Sequence, residues 1–367
     1  METTHRIVTG DSRSLSEVAD DSVELVVTSP PYPMIEMWDD LFSDLDPEIG
    51  ECLEDGAGQA AFDRMHEELR SVWEEVDRVL VEGGIACVNV GDATRTVDGS
   101  FRVFQNHSRI VDAFETLGFE PLPEILWRKP VNSGAKFMGS GMIPPNAYVT
   151  LEHEYILVFR NGKRSRSFEP GAERRYRSAY FWEERNRWFS DLWTDVTGEQ
   201  QGLGSDELRA RSGAYPFEIP YRLINMYSVY GDTVLDPFWG TGTTASAAMV
   251  AGRNSIGYEL DAEFRELFEE TVADIPDYSE AVGTRRLADH REFVERRLAD
   301  GETFAYTADN YDVPVTTKQE RSIRLYRVAE IRKTADGYRV SHEPLGEAAT
   351  REAETEIGDG ESPSDRR

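Results

Sequence analysis

Two short segments carry side chains whose types and spacing suit chemistry better than packing. The first is Asp236-Pro237-Phe238-Trp239-Gly240-Thr241-Gly242-Thr243-Thr244, which follows an apolar run and opens a helical one. Gly240 and Gly242 lack a Cβ, so their backbone N–H groups can approach a ligand closely. The helix N-terminus beginning at Thr243 favours that ligand's carboxylate. Asp236 stands where the strand ends, placed to accept from an ammonium group. Glu259 lies fifteen residues beyond Thr244, at the end of the next strand, where an acidic side chain typically takes ribose hydroxyls. No Gly-Lys-Ser/Thr occurs, so the loop is not a P-loop. A glycine pair alone would fit any tight strand-to-helix turn; the full loop together with Glu259 argues for a ligand.

The second segment is Thr28-Ser29-Pro30-Pro31-Tyr32, again closing an apolar run. Pro30 and Pro31 have fixed φ and no N–H, which leaves carbonyls as acceptors facing a cleft. Ser29 Oγ and the Pro30 carbonyl form a pair that can accept from an exocyclic amine and turn its lone pair toward an incoming methyl group. Tyr32 offers a face on which a base taken out of its stack can lie. Alone, this segment would also read as a Pro-rich turn with a packing tyrosine.

The elements that must position these groups alternate. Short apolar strands are expected at His5–Val8, Val23–Thr28, Ile85–Val90, Glu124–Trp127, Glu154–Phe159, Thr233–Leu235 and Ser255–Tyr258. Between them, Ala60–Leu80 places Phe62, Met65, Leu69, Val72, Trp73, Val76 and Leu80 on one helical face, with Gly83-Gly84 as its stop. Further helices are expected at Ser108–Leu117, Thr243–Ala251 and from Ala262. This alternation implies a mostly parallel sheet covered on both faces. Residues 39–58 read as an acidic loop, its run 39–55 keeping the chain soluble in salt, and 130–145 as a long Gly/Ser/Pro-rich mobile loop, either a binding lid or a disordered connection. A charged helix and strands at Phe304–Tyr306, Ile323–Val328 and Tyr338–Val340 follow.

With both motifs in view, the chain resembles the amino-methyltransferases of DNA in their permuted, β-type order, where Ser-Pro-Pro-Tyr precedes the Asp-Pro-Phe loop. The resemblance runs from about His5 to Ile275. It implies a Rossmann-like α/β methyltransferase fold that uses S-adenosylmethionine, with a small recognition insert and a C-terminal extension. Ser29, Pro30, Pro31 and Tyr32 become the catalytic residues. Asp236, Pro237, Phe238, Gly240, Thr241, Gly242, Thr243 and Glu259 become the cofactor cradle, and Asp11 of Gly10-Asp11 reaches the cofactor's adenine. Glu82-Gly83-Gly84 and Trp127-Arg128-Lys129-Pro130 resemble sheet-lining motifs. His153–Phe159 matches the strand before the recognition region. Tyr215–Pro220 resembles the segment that packs on the methionine part; that family usually has histidine where Tyr215 stands, so Phe217 is assigned the contact. Serine before Pro-Pro-Tyr is seen more often with cytosine N4, and aspartate or asparagine with adenine N6.

Residues 160–187 hold nine basic against four acidic residues, interleaved with aromatics, where that family carries its target-recognition region. Arg164, Arg166, Arg174, Arg175 and Arg177 are therefore the expected DNA contacts, with Lys136 closing over the flipped base. The modest length of this segment fits a short site; a four-base palindrome such as CTAG is the working guess. A solvated face balancing nearby acids is the alternative for any single arginine. His107 and His153 are read as packing or hydrogen-bonding residues.

The expected divisions are 1–159 (catalytic half), 160–213 (recognition), 214–276 (cofactor half), 277–342 (C-terminal extension) and 343–367 (disordered acidic tail). The formal charge is −29, and only 5 of the 40 cations are lysine. Such a balance suits high intracellular salt, with general solubility as the alternative, and argues against a protein that holds nucleic acid by its global charge. Cys52 and Cys87 are too few for a disulfide framework or a cysteine zinc site, no metal is expected, and neither follows a proline as cytosine-C5 enzymes require. Without a signal-peptide core or an apolar run of spanning length, the chain reads as cytoplasmic with no membrane partner. The implied reaction is methylation of N4 of cytosine in a short duplex motif by base flipping. Adenine N6, RNA or a protein glutamine are rival substrates, and a non-catalytic DNA-binding regulator is the rival class. Double-stranded DNA is the expected partner and a separate restriction endonuclease a candidate one; monomer or dimer is left open.

Overall fold

Val23–Thr28 is apolar almost throughout because both faces of that strand are covered. In the computed structural model, which describes residues 1–129, 138–139, 143–197 and 214–346, Leu25 and Val27 enter one core cluster and Val23 and Val26 the other. The strand is central in a ten-stranded sheet. In chain order the strands are β1 (Glu2–Thr9), β2 (Val23–Thr28), β3 (Leu80–Val90), the hairpin β4 (Ala93–Val97) and β5 (Ser100–Phe104), and β6 (Glu120–Arg128). Then come the short pair β7 (Met138–Gly139) and β8 (Ala147–Tyr148), β9 (His153–Arg160), β10 (Leu192–Trp193), β11 (Thr233–Asp236) and β12 (Asn254–Glu259). The chain closes with the short pair β13 (Tyr306–Thr307) and β14 (Pro314–Val315), then β15 (Tyr326–Lys333) and β16 (Gly337–Pro344).

The sheet order is β10-β6-β9-β3-β2-β11-β12-β1-β16-β15. The run β3-β2-β11-β12-β1 is parallel throughout, so all five strands end on one edge of the sheet. β9 runs antiparallel between β3 and β6. One face carries the helix Gly58–Val79, whose buried Phe62, Met65, Leu69, Val72, Trp73 and Val76 recur at helical spacing. Each such side chain, fully buried, contributes about 1.5–3 kcal/mol of hydrophobic stabilisation. The opposite face is filled by helices Glu218–Tyr227 and Thr243–Ala251, the second small-residued and buried along nearly its whole length.

Several boundaries differ from the sequence reading. The helix ends at Val79, and Gly83-Gly84 lie inside β3 instead of stopping it. At Gly83, φ is +78°, and an added Cβ would stand 2.6 Å from Arg166 N; the glycine lets residues 164–166 lie against the strand. The expected acidic loop is two helices, Asp39–Leu45 and Pro47–Glu54, which bury Phe42 and Ile49. Asp46 caps the second by accepting from Glu48 N, with Pro47 in the first turn, a start signal the acidic composition hid.

Residue 276 falls inside the 25-residue helix Ile275–Ala299, and β15 and β16 extend the main sheet beyond β1. The C-terminal region is thus continuous with the main sheet. It also grips residues 181–188: Arg286 pairs bidentately with buried Glu184 (2.6 and 2.8 Å), and His290 stacks on Phe181. The fold reaches past residue 343 to Leu345, which is buried; the rest of the expected tail lies outside the described residues. No helix among the described residues is long and apolar enough to cross a membrane.

Candidate active site

The carboxyl ends of β2, β3, β11 and β12 meet around one cavity of about 750 Å³, within the size range of small-molecule sites. At the end of β11 the loop turns tightly: Trp239 N–H donates to the Tyr258 carbonyl (2.9 Å) and Gly242 N–H to the Trp239 carbonyl (3.0 Å). Gly242 has φ +76°, and an added Cβ would meet Phe268 at 2.5 Å and Trp239 at 2.7 Å, so only glycine fits beneath the loop. The N-terminus of helix Thr243–Ala251 opens above it, with Thr241 and Thr243 on the cavity wall.

Asp236 is buried at the strand end. Its Oδ1 accepts from Thr28 Oγ1 (2.6 Å) and from Phe238 N (3.1 Å). Burial pushes its pKa up to about 6 against the opposing pull of the Thr28 and Thr244 hydroxyls. Glu259 accepts Gly240 N–H (2.8 Å) on one oxygen and Asp261 N–H (3.0 Å) on the other. A carboxylate offers about four acceptor positions, so roughly two stay open for hydroxyls. Burial raises the Glu259 pKa as well. Asp11 lies on the same wall, held by Arg13 Nε (2.9 Å), and Arg13 also pairs with Glu68. Burial works to raise the Asp11 pKa, yet its hydrogen bonds to Arg13 prevail and lower it.

Ser29, Pro30, Pro31 and Tyr32 line the other half of the cavity. Ser29 Oγ lies 3.0 Å from the Tyr32 hydroxyl, which donates to Glu154 Oε2 (3.0 Å). Asn89 Nδ2 donates to both the Tyr32 hydroxyl (2.9 Å) and Glu154 Oε2 (2.7 Å), and Lys129 Nζ to Glu154 Oε1 (2.6 Å). Burial and the Glu154 charge hold the Tyr32 phenol well above its usual pKa. Asn89, Lys129 and Glu154 went unrecognised as functional in the sequence. A signal was present, since Asn89 and Glu154 interrupt apolar strands and a buried polar group needs a partner.

The wall that closes the cavity was also missed. Leu41, Phe42 and Leu45 come from the region read as a solvating loop, and Ile35 and Trp38 from the segment just before it. Phe217 and Tyr215 are placed differently from the expectation. Phe217 is packed in the core, stacked on Tyr221 and edge-on to Tyr278, whereas Tyr215 lines the cavity and bonds Thr244 Oγ1. His107 bonds Asp92 (2.9 Å) and stacks on Tyr155, and His153 meets Tyr155 edge-on.

None of the five expected DNA-contacting arginines reaches the cavity. β9 runs antiparallel to β3, so the chain leaves Arg160 at the amino edge of the sheet, and residues 161–177 pack there. Arg166 makes a bidentate pair with Asp232 (2.6 and 3.1 Å), a fully buried residue just before β11, and Arg174 approaches the same carboxylate at 3.5 Å. Arg175 lies over the Phe168 ring at 5.0 Å, and Arg177 pairs with Glu173 one turn away. Arg164 is exposed, with its carbonyl against Gly83. Lys136 lies outside the described residues. Cavity and arginine cluster are therefore separated by the length of the central strands.

A family model described as DNA methylase matches residues 23–270. The chain is similar to the Type II methyltransferase M.MthZI of Methanothermobacter thermautotrophicus, 54% identical over 329 residues that cover 89% of this chain and 91% of the relative. M.MjaI of Methanocaldococcus jannaschii, another Type II methyltransferase, is 53% identical over 281 residues, 74% of this chain and 91% of its own. Among solved structures, TTHA0409 from Thermus thermophilus in complex with S-adenosyl-L-methionine aligns with a TM-score of 0.58 and 32% identity. That alignment covers 74% of this chain and 95% of that one.

Proposed function

The chain belongs to the DNA methylase family whose members act on exocyclic amines, and from that premise we propose that it methylates N4 of cytosine in a short duplex motif. The observation that carries this reading is the pairing, in one cavity, of the Ser29-Pro30 acceptors with the Asp236 glycine loop. S-adenosylmethionine supplies an electrophilic methyl group when bound. Asp236 would take its ammonium, the N-terminus of helix Thr243–Ala251 its carboxylate, and Glu259 its ribose hydroxyls. Asp11 stands toward the adenine.

The target base leaves its stack and lies against Tyr32, at a cost of a few kcal/mol in unpairing. Ser29 Oγ and the Pro30 carbonyl accept the amine's N–H groups and aim its lone pair. Holding the reactants in line is worth several kcal/mol of the barrier, and no protein nucleophile is needed. The duplex must approach the carboxyl edge, where the cavity opens. The β4–β5 hairpin rises there on a two-residue turn with positive φ at Asp98 and Gly99. It presents exposed Phe101 and Val103, with Phe101 stacked on Tyr148, and exposed Arg102 over the Phe104 ring at 4.7 Å. A restriction endonuclease reading the same motif is the activity such an enzyme would protect against. The acidic, lysine-poor composition fits work at high salt.

The test is single-molecule sequencing of DNA from a methylation-free host that expresses the protein or its Ser29→Ala variant. One short motif bearing N4-methylcytosine only with the intact protein is the expected outcome. N6-methyladenine in that motif would replace the base assignment, and no modification by a protein that binds S-adenosylmethionine would remove DNA as the substrate.

A further inference from the structure

Beneath the serine that meets the amine lies a chain of hydrogen bonds whose direction is fixed from its far end. Glu154 is almost fully buried, and its Oε1 accepts from Lys129 Nζ at 2.6 Å. An ionised carboxylate can only accept. Its Oε2 receives the Tyr32 hydroxyl (3.0 Å) and Asn89 Nδ2 (2.7 Å). Asn89 cannot turn its amide over, because its oxygen would then face the carboxylate. The one proton on the Tyr32 hydroxyl therefore goes to Glu154, and its oxygen is left to accept from Asn89 (2.9 Å) and from Ser29 (3.0 Å). Ser29 must spend its own proton on Tyr32. Its lone pairs are what remain to face the cavity.

We propose that Glu154 is a positioning residue which, acting through Tyr32, orients the Ser29 hydroxyl so that it meets the substrate amine as an acceptor. Burial and the neighbouring carboxylate keep the Tyr32 phenol protonated across the working range, as the relay requires. Lys129 sets the polarity at the outer end and Asn89 locks it at the inner one. The proposal rests on the reading of Ser29 as the amine's acceptor, and it adds a reason why a neutral hydroxyl, able to donate or accept, does only the second.

Glu154→Gln, made and compared throughout in an Asn89→Leu background so that no second amide can turn its oxygen toward the Tyr32 hydroxyl, reverses the relay. Lys129 holds the oxygen of the new carboxamide, so its NH₂ faces the Tyr32 hydroxyl. Tyr32 then donates to Ser29, and the Ser29 proton turns toward the amine. One unsatisfied donor at the reacting centre is expected to lower kcat by about 10-fold to 100-fold. KM for DNA and the affinity for S-adenosylmethionine, measured separately, should stay where they were. A role that is only structural would lower the melting temperature and shift all three together.

Two further comparisons isolate the relay. In a Tyr32→Phe background, which keeps the ring face but removes the hydroxyl, Glu154→Gln should cost less than about 2-fold more, because the link is already cut. Lys129→Met added to Glu154→Gln should restore turnover toward that of Lys129→Met alone, since the carboxamide can then present its oxygen to Tyr32. If Glu154→Gln alone melts too early to assay, that last pair of variants is the one to compare. Equal losses from Glu154→Gln with and without the Tyr32 hydroxyl, or no rescue by Lys129→Met, would overturn the proposal. A folded Tyr32→Phe protein with no turnover at all would do so too, because a freed Ser29 hydroxyl can still accept. Full activity in Ser29→Ala would instead bring down the underlying reading of Ser29.

Discussion

The two edges of the central sheet are both lined with charged and aromatic side chains, and among the described residues it is the carboxyl edge that holds the cavity of about 750 Å³ with open hydrogen-bonding capacity. At the amino edge, Asp232 takes Arg166 and approaches Arg174, Glu173 takes Arg177, and the Phe168 ring takes Arg175. Each of those four arginines already has a partner. At the carboxyl edge, Asp236 and Glu259 are held by backbone N–H groups and hydroxyls that leave acceptor positions open, and Ser29 lines the cavity. Residue type alone would favour the amino edge as the nucleic-acid face. What separates the edges is the bonding capacity left over once the fold has satisfied itself.

The largest expected effect tests the open edge. Ser29→Ala should lower turnover by about 10²-fold or more, the order seen when one preorganised hydrogen-bonding group is removed from a reacting centre. Methyl incorporation into DNA reads the loss, and calorimetry with S-adenosylmethionine should show the cofactor bound as before. The counterpart at the closed edge is Arg166→Ala, which leaves fully buried Asp232 with the Val229 N–H and, as its cation, only the more distant Arg174. Removing one partner of a buried pair destabilises by about 3 kcal/mol, read as a lower urea midpoint. The KM for DNA should not move. A raised KM with an unchanged midpoint would reverse the assignment of the two edges.

The parts of this arrangement that showed in the sequence are those governed by local chain chemistry. Helix Thr243–Ala251 begins and ends where the glycine loop and Gly252 set its limits, and β2 spans the apolar run Val23–Thr28. Twelve of the fourteen residues assigned to catalysis or cofactor line the cavity. Gly242 sits beneath the loop, and Phe217 packs away from it. What stayed hidden depends on direction across the sheet. The antiparallel course of β9 carries residues 161–177 to the far edge, and no pattern of basic and aromatic residues reports on which edge a loop emerges. Glu154 was hidden for a related reason: its partners Lys129, Asn89 and Tyr32 come from three other segments that only the sheet order brings together.

A smaller effect follows from the burial of Asp236. Its folded pKa of about 6 lies above the ordinary 3.8. The cofactor-free fold is therefore favoured most where this carboxyl is neutral, and it loses that advantage as pH climbs from about 4 to about 6. Affinity for S-adenosylmethionine runs the other way, because only the carboxylate can pair with an ammonium. Binding should weaken toward tenfold per pH unit below about 6 and level off above it. Asp236→Asn should bind weakly at every pH and show no such slope; a slope that survives the substitution would place the responsible group elsewhere in the cavity.

The smallest effect makes the sharpest separation of the edges. Arg175 and Arg177 belong to the segment that composition marks for DNA, yet one lies on the Phe168 ring and the other pairs with Glu173 across a single exposed helical turn. Exposed pairs of that kind contribute about 0.3–0.5 kcal/mol, and an exposed cation over an aromatic ring about 0.5–1 kcal/mol. Arg175→Ala and Arg177→Ala should each shift the urea midpoint by no more than that. Neither should change the KM for DNA or the slope of log KM against log salt, because a lost phosphate contact would reduce that slope by about 1. The same substitution at Arg102, on the hairpin beside the cavity, should change the slope. If instead the slope flattens with Arg175→Ala and not with Arg102→Ala, the duplex wraps to the amino edge, and satisfied charge there would be a state of the free protein that DNA undoes.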